Sequence, residues 1–408
     1  MEKTTFTKLF TPFDNQADAR FAQLRQSGRE CFGAAALPTT RTEDWRFTNI
    51  SPITATPFTL ANNVHARVKL DSDHPTVLFV NGRFAKQAPE SIGASAEIGS
   101  LARATTKLSQ LARIASDRDS PFTCLNTSFL NDGAYVVVPD GNVIATPIEI
   151  RFHSLVEGNA PAIHPRTLVV VGKNACVTIV ERYSGNAAYF TNAVTEIAVG
   201  EGAVVDHVKI QDESTTAYHI AHTAVVMGAR SNFTTHYVSL GGALVRNEVR
   251  VRFDGEHAEA TVNGLYLASG TQHIDNFTLI DHAQPNCASH ELYKGILDGK
   301  SHGVFNGKIF VRKDAQKTDA KQTNKVLLLS DDATINTKPQ LEIFADDVKC
   351  THGATVGQLD PLQLFYLQSR GIPLDQARRL LTFAFANDIV GRLKIEALRD
   401  ELEQRIVR

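Results

Sequence analysis

Apolar runs that end at a glycine recur through the middle of the chain at a nearly constant interval. Gly172, Gly200, Gly228 and Gly255 are 28, 28 and 27 residues apart, and the first three close the runs VVVG, IAVG and VVMG. A small residue follows each glycine by three positions, and a β-rich segment such as CVTIVERY or NFTTHYVSL comes next. A fixed period of about 20–50 residues is typical of repeat architectures, in which each unit is covered by its neighbours. The pattern therefore predicts a β-helix or β-roll, with glycine supplying the positive φ of each tight corner. Four hairpins of an ordinary sandwich are the alternative.

The strand-rich pattern has a beginning and an end within the chain. It starts near Gly133, in GAYVVVPDGNVIATPIEI, and continues to about residue 350. We therefore predict an N-terminal mixed α/β region at residues 1–132, a β-helix core at residues 133–358 and a C-terminal helical domain at residues 359–408.

Two local patterns stand out in the N-terminal region. Asn81-Gly82 lies between two apolar runs, in VLFVNGRFA, and indicates a type I′ hairpin. Residues 106–115, TKLSQLARIA, have the spacing of a short amphipathic helix.

Three helices are predicted after the strands. Asp360 can cap the first helix, Pro361 suits its first turn, and Gly371 is placed to end it. The last helix carries one apolar stripe, made by Ile395, Leu398, Leu402 and Ile406. Three helices in about fifty residues form a thin layer whose apolar side needs a cover. The layer is either a cap on the end of the β-helix or a docking surface for a partner.

Composition limits the class of protein. The 408 residues are 43% hydrophobic and 21% charged, with a formal net charge of −2, which suits a globular protein and not a general nucleic-acid binder. We expect no membrane helix and no secretory signal, because no apolar run is long enough. The five cysteines are scattered, without a C-x-x-C motif, so we expect no disulfide framework and a cytoplasmic location.

A nucleotide-binding loop and the H-E-x-x-H zinc motif are missing from the sequence. Gly299-Lys300-Ser301 resembles the end of a phosphate-binding loop, but the first glycine that this loop needs is replaced by Lys294. No H-E-x-x-H motif is present. The chain is therefore not expected to hydrolyse ATP.

Cys350 and His352 are the candidate metal ligands. They are two residues apart in a strand-like run, so both side chains point to one face. A thiolate and an imidazole suit iron or zinc, and an end coil offers a strand edge to another chain. Two ligands do not complete a site, so the others would come from elsewhere, for example from another subunit; a purely structural role is the alternative. His219 and His222 would face opposite sides of a strand. The remaining histidines that we considered are expected at the surface or at corners, namely His207, His236, His273, His282 and His290.

Four distinctive blocks occur from about Arg246 onward, namely RNEVRVRFDGEHAEATVNGLYL, HIDNFTLIDH, SHGVFNGKIFVRKDAQKTDAKQTNKVLLLS and DDVKCTHGATVG. Through these blocks the chain closely resembles the SufD family. The N-terminal third is similar only in stretches such as EDWRFTNI and VLFVNGRF. The sister family, SufB, shares the solenoid and a related LLLS block but has a His-Glu-Ala motif where this chain has KCTHGATVG.

The resemblance implies a specific architecture and role. It implies a right-handed parallel β-helix between helical terminal regions, paired with SufB through the β-helix cores and with the ATPase SufC through the C-terminal helices. The subunit would be a non-catalytic scaffold for a nascent iron–sulfur cluster, within a complex that also binds reduced flavin (FADH2), for which no residue here marks a site. His352 would lie at the SufB interface as a candidate ligand, and Cys350 beside it as a weaker one. Removal of residues 360–408 would abolish SufC binding and leave a folded core.

Three alternatives remain open from the sequence. The chain could be an interaction scaffold in which Cys350 and His352 are structural. It could be a β-helix enzyme that acts on polysaccharides, although the absent signal and the helical tail argue against this. Without its partner it could form a homodimer through the same edge.

Overall fold

The computed structural model describes residues 3–62, 70, 74–88, 95–106, 108–115 and 120–407. The α-helices are α1 (Thr4–Thr7), α2 (Phe10–Asp14), α3 (Ala22–Ala34), α4 (Ser51–Ala55), α5 (Pro121–Ser128), α6 (Pro361–Ser369), α7 (Leu374–Val390) and α8 (Glu396–Val407). The first strands are β1 (Thr59–Leu60), β2 (Thr76–Val80), β3 (Arg83–Ala88), β4 (Glu97–Ser100), β5 (Ala134–Val138), β6 (Ile148–Ser154), β7 (Pro161–Ile163) and β8 (Arg166–Val171). The longer strands that follow are β9 (Cys176–Gly185), β10 (Phe190–Val199), β11 (Val204–Asp212), β12 (Tyr218–Met227), β13 (Asn232–Ser239), β14 (Leu244–Phe253), β15 (Glu259–Ala268), β16 (His273–His282), β17 (Ala288–Leu297), β18 (His302–Val311), β19 (Asp319–Leu328), β20 (Thr334–Ile343) and β21 (Lys349–Gly357). None of the described helices is long and apolar enough to cross a membrane.

The strands form two sheets that wind into a parallel β-helix. From β8 onward, even-numbered strands lie in one sheet and odd-numbered strands in the other, so each consecutive pair makes one coil. Every neighbouring pair from β8 to β21 is parallel, and within the described residues antiparallel pairing is confined to β2–β3 and β4–β5. The predicted solenoid is confirmed, and the sandwich of hairpins is excluded because hairpin strands would pair antiparallel.

The repeated glycines are needed because neighbouring coils approach closely there, and not because their backbone has a positive φ. A Cβ on Gly228 would lie 2.9 Å from the backbone nitrogen of Glu201, and one on Gly255 would lie 2.1 Å from that of Ala229. The positive φ that we expected of these glycines is instead adopted two residues later, at Asn174, Gly202, Arg230 and His257, with φ of 52°, 68°, 55° and 59°. Three of these four are not glycine, which explains why the corner itself left no glycine signal in the sequence.

The N-terminal region covers the outer face of the even-numbered sheet. Aromatic side chains of α1 and the following loops pack onto β10, with Phe6 and Phe58 at 5.7 and 5.6 Å from the ring of Phe190. The Arg246 guanidinium of β14 lies 3.9 Å from the centre of the Trp45 ring. The N-terminal region is therefore joined to the coils by apolar and cation–π contacts.

One local prediction in the N-terminal region is confirmed and one is wrong. Asn81 and Gly82 have φ of 51° and 75° and join the antiparallel strands β2 and β3, as expected of a type I′ turn. Residues 108–115 form turns instead of the helix predicted for 106–115; Lys107 lies outside the described residues. The cause is tertiary: the buried carboxylate of Glu196 accepts hydrogen bonds from the four consecutive backbone N–H groups of residues 112–115, at 2.9–3.0 Å.

The structure contains one disulfide that the scattered cysteines did not predict. Cys31 of α3 and Cys124 of α5 are bonded, across 93 residues of sequence. The two helices come close because Gly28 has no side chain; a Cβ there would lie 2.6 Å from the backbone nitrogen of Ser128. Sequence spacing could not show this pairing because it depends on the packing of two distant helices.

The helices α7 and α8 lie along the outer face of the odd-numbered sheet. Ala386, Ile389, Leu398 and Leu402 are buried against a row of apolar residues, made by Val180, Val208, Ile210, Val238, Leu265, Ile296 and Leu327. Ion pairs fix the ends, including Lys294–Asp388 at 2.9 Å and Arg182–Glu401 at 2.7 Å. These helices therefore cover the side of the β-helix and not its end.

Candidate functional site

The β-helix ends in an exposed coil. Among the described residues, β20 and β21 are the last strands of their sheets, and each pairs on one side, β20 with β18 and β21 with β19. Every residue of β21 from Thr351 to Gly357 is exposed, whereas the long strands of the central coils are mostly buried. The outward edge of β21 thus carries free backbone groups that can pair with another strand.

Cys350 and His352 both lie on the inward side of this last coil. In the parallel register Cys350 is opposite Ala320 and His352 is opposite Gln322, and both of these β19 side chains are buried in the interior. Cys350 is half-buried and packs against an interior cluster that includes Ala320 and Ile309. His352 is exposed because no further coil covers it. The shared face that the sequence predicted is therefore present, at the open end.

A buried carboxyl lies two coils behind His352. Glu291 on β17 is opposite Gln322 on β19, and Gln322 Nε2 donates to Glu291 Oε2 at 2.6 Å. Burial raises the pKa of Glu291 to about 7, although hydrogen bonds from Gln322 and Thr278 oppose the shift. Sequence reasoning missed both residues. Glu291, Gln322 and His352 are 31 and 30 residues apart, so extending the repeat past residue 255 would have aligned them.

The chemistry of Cys350 is that of a protonated thiol. Burial raises its pKa, the nearby Asp319 carboxylate adds to the shift, and the Ala320 backbone N–H opposes it. A thiol must lose its proton before it binds a metal, so a cation would have to drive ionisation at Cys350. Within the described ranges, no group of three or more His, Cys, Asp or Glu side chains is arranged to hold a metal ion.

His219 and His222 belong to networks within the fold. His219 points into the β-helix, where its Nε2 is 3.0 Å from Lys209 Nζ and its Nδ1 is 2.7 Å from Glu213 Oε2. His222 points outward, with Nδ1 at 3.3 Å from Glu248, so the prediction of opposite faces is confirmed. Burial lowers the pKa of Lys209 to about 8, because a charge is disfavoured inside the coil.

Several of the isolated histidines contradict the predicted surface or corner positions. His207 and His282 are fully buried in the interior, and His236 is buried beneath the C-terminal helices. His207 Nδ1 lies 2.9 Å from Thr235 Oγ1, and its Nε2 lies 3.3 Å from Glu181 Oε2. The interior of this β-helix therefore contains ionisable groups that pair with one another, a feature that strand periodicity does not reveal.

A second exposed surface lies on α6. This helix has no buried residue, and Leu362, Phe365 and Tyr366 are 77%, 70% and 58% exposed. Asp360 caps it by accepting from the Leu362 N–H at 2.8 Å, and Gly371 follows with φ of 85°, as the sequence predicted. An apolar helix face of this kind is typical of a docking surface.

Comparison with known proteins gives consistent matches over both regions. The family model "SUF system FeS cluster assembly, SufBD core domain" matches residues 154–385, and "SufBD protein N-terminal region" matches residues 2–150. An iron–sulfur cluster assembly SufBD family protein of Synechocystis is 34% identical, covering 95% of this chain and 90% of the relative. The iron–sulfur cluster assembly protein SufD of Escherichia coli is 30% identical, covering 96% and 92%, and SufD of Bacillus subtilis is 28% identical, covering 90% and 88%. The chain therefore belongs to the SufBD family of iron–sulfur cluster assembly proteins, with SufD among its relatives.

Proposed function

We propose that this chain is the SufD subunit of a SufBCD complex in the cytoplasm, a non-catalytic scaffold that pairs with SufB and docks the ATPase SufC. The observation that carries the proposal is the open end of the β-helix, where a strand paired on one edge with β19 presents Cys350 and His352 on its inward side. A second β-helix that meets this end can cover both side chains and add its own ligands. The nascent iron–sulfur cluster would be the cargo of this shared site.

The donor set at the open end fits half of such a site. His352 offers an exposed imidazole, and Cys350 offers a thiol that a cation can ionise. His352 is the stronger candidate, because neutral imidazole needs no ionisation to bind iron. Reduced flavin, which the resemblance also implied for the complex, has no site that we assign on this chain.

The exposed face of α6 supports the docking of SufC. Helices α7 and α8 are occupied by the β-helix, so the free apolar surface of the C-terminal region lies on α6, with Leu374 and Leu380 of α7 as partly exposed neighbours. Deleting residues 360–408 would also strip the apolar side of the odd-numbered sheet. Substitutions on α6 are therefore a better test of docking than the truncation that the sequence suggested.

The first experiment tests the ligand role of His352 in a co-expressed complex with the SufB and SufC of the same organism. His352→Ala is expected to leave the complex assembled and to lower the yield of cluster on anaerobic addition of iron and sulfide. Thr351→Ala is the matched control, since Thr351 is equally exposed but points to the opposite face of β21. Normal cluster yield in His352→Ala would remove the ligand assignment and leave a plain interaction scaffold.

The second experiment tests docking through α6. Replacing Leu362 and Phe365 together by serine is expected to abolish co-purification of SufC while SufB remains bound. Val143→Ser is the matched control, because Val143 is 68% exposed and lies in the first coils, far along the solenoid from α6. Full retention of SufC by the α6 variant would contradict docking at this surface.

A further inference from the structure

A column of inward-facing side chains connects the buried interior with the open end. Glu291, Gln322 and His352 occupy matching positions on the successive strands β17, β19 and β21. Glu291 and Gln322 are 3% and 1% exposed, whereas His352 is exposed. Adjacent strands of a sheet lie about 4.8 Å apart, so residues in one column are direct neighbours.

The hydrogen bond to Glu291 orients the amide of Gln322. Its Nε2 donates to Glu291 Oε2 at 2.6 Å, and a carboxyl oxygen can accept this bond whether or not Glu291 is protonated. The other end of the amide, Oε1, is buried and has no hydrogen-bond partner among the described residues. A buried acceptor without a donor is unfavourable, and the next side chain in the column, His352, carries an N–H group.

Gly307, in the opposite sheet, leaves the space that the amide of Gln322 fills. A Cβ on this residue would lie 2.3 Å from Gln322 Nε2 and 2.7 Å from its Cδ, so the amide fills the space that a side chain would take. Gly307 does not have a positive φ, so the backbone conformation does not require glycine there. The missing side chain instead makes room for the amide, which is an observation independent of the hydrogen bond.

We propose that Gln322 is a positioning residue for His352: the two side chains are not hydrogen-bonded in this structure, and rotation of the exposed imidazole brings its N–H to the unpartnered Oε1 of Gln322, which fixes one tautomer and leaves the other ring nitrogen free to face the partner subunit. Outer hydrogen bonds of this kind commonly set the tautomer and orientation of ligating histidines. That the free ring nitrogen serves as a metal ligand rests on the proposed function. The tautomer itself can be measured on the full-length chain alone.

The experiment uses chain labelled with ¹⁵N-histidine, in which the ring signals of His352 are identified as those lost in His352→Ala. The wild-type chain is expected to show one neutral tautomer at His352, and Gln322→Leu is expected to shift the tautomer ratio by about fivefold, the effect of one ordinary hydrogen bond. An unchanged ratio in Gln322→Leu would overturn the inference.

Asn324→Leu is the matched control. Asn324 lies on the same strand, is equally buried and also has an unpartnered amide oxygen, but its column continues to Ala354 instead of a histidine. Asn324→Leu is expected to leave the tautomer ratio of His352 unchanged. An equal shift in Asn324→Leu would show that loosening of the end coil causes the effect, and the inference would be wrong.

Two further variants keep the test decisive if Gln322→Leu folds poorly. Gly307→Ala keeps every hydrogen-bonding group and displaces the amide, so it should shift the ratio in the same direction. The exchange Glu291→Gln with Gln322→Glu keeps an oxygen acceptor at position 322, so the neutral imidazole should keep the wild-type tautomer. A shifted ratio in the exchanged chain, when it is folded, would contradict the role of an acceptor at this position.

Measurements on the complex and on the chain alone distinguish failure of this inference from failure of the proposed function. If Gln322 positions a ligand, Gln322→Leu should weaken binding of Fe²⁺ to the co-purified complex by about 10-fold or more. Loss of cluster in His352→Ala with an unchanged tautomer in Gln322→Leu would refute the inference alone. Normal cluster yield in His352→Ala with a shifted tautomer in Gln322→Leu would refute the proposed function alone.

Discussion

The buried carboxyl of Glu291 should make the stability of this protein fall as pH rises towards neutrality. Burial raises its pKa from 4.5 to about 7 in the folded chain. Between these two values the folded state binds more protons at this group than the unfolded state, so the free energy of unfolding decreases with increasing pH. The contribution is fully present below the unfolded pKa and is lost as pH rises through about 7.

The magnitude follows from the size of the shift. A folded pKa of about 7 against an unfolded value of 4.5 predicts a loss of about 2.5 kcal/mol from this group between pH 5 and pH 8. Glu291→Gln keeps the shape and removes the titration, so the wild-type chain should lose about 2.5 kcal/mol relative to this variant over that range.

Urea unfolding of both chains at pH 5 and pH 8 measures the difference, and other titrating groups cancel because both chains share them. Glu259→Gln is the control, since Glu259 is exposed at the start of the neighbouring strand β15. If the difference between wild type and Glu291→Gln is the same at both pH values, Glu291 does not hold its proton in the folded chain, and the reasoning from its burial is wrong.

Three further predictions concern the fold. Reducing the disulfide between α3 and α5, which closes 93 residues, should lower the unfolding free energy by up to about 4 kcal/mol in urea unfolding with and without reductant. Glu196→Gln should leave Arg166 buried without its carboxylate, cost about 3–5 kcal/mol and make residues 108–115 cleavable by protease; resistance equal to wild type would count against it. Gly255→Ala should cost about 1–3 kcal/mol by overlap with the neighbouring coil, whereas Gly353→Ala, with no atom within 4 Å, should leave the thermal midpoint unchanged.

The sequence predicted the β-helix because its repeat is a local property. Each coil buries the same kind of inward side chain and makes the same close approach at its corner, so the pattern recurs along the chain whatever the distant contacts are. The hairpin at Asn81 was predictable for a similar reason, since two residues determine the turn. The prediction that this turn pairs β2 with β3 needs no information from distant parts of the chain.

Features that depend on distant residues were not predictable. The helix expected at residues 106–115 is replaced by turns because Glu196 competes for its backbone N–H groups, and no local pattern contains that information. The disulfide depends on the packing of α3 on α5, and the interior pairing of His219 with Lys209 depends on which coil lies next to which. Periodicity indicates which face of a strand is inside but not which polar groups meet there.

The sequence predicted the two candidate ligands but not the buried residues behind them. Cys350 and His352 were found because two positions on one strand share a face, and the structure places both at the open end. Gln322 and Glu291 were missed because the spacing lengthens from 28 to about 30 residues in the last coils, which hides the alignment. The column behind His352 appears only when strand register is known.

The shortest covalent path between the two exposed surfaces does not run through the β-helix. Only three residues, 358–360, separate the end of β21 from the start of α6, so the strand that carries His352 and the helix proposed to dock SufC are almost continuous. Within the part of the chain that the structure describes, β21 pairs on one side only and α6 has no buried residue, so both are held less firmly than the coils behind them. The rest of the C-terminal region is fixed to the sheet by α7 and α8. If the partner proposed for α6 moves this helix, that motion would therefore act first on β21, and it would shift His352 without deforming the rigid coils.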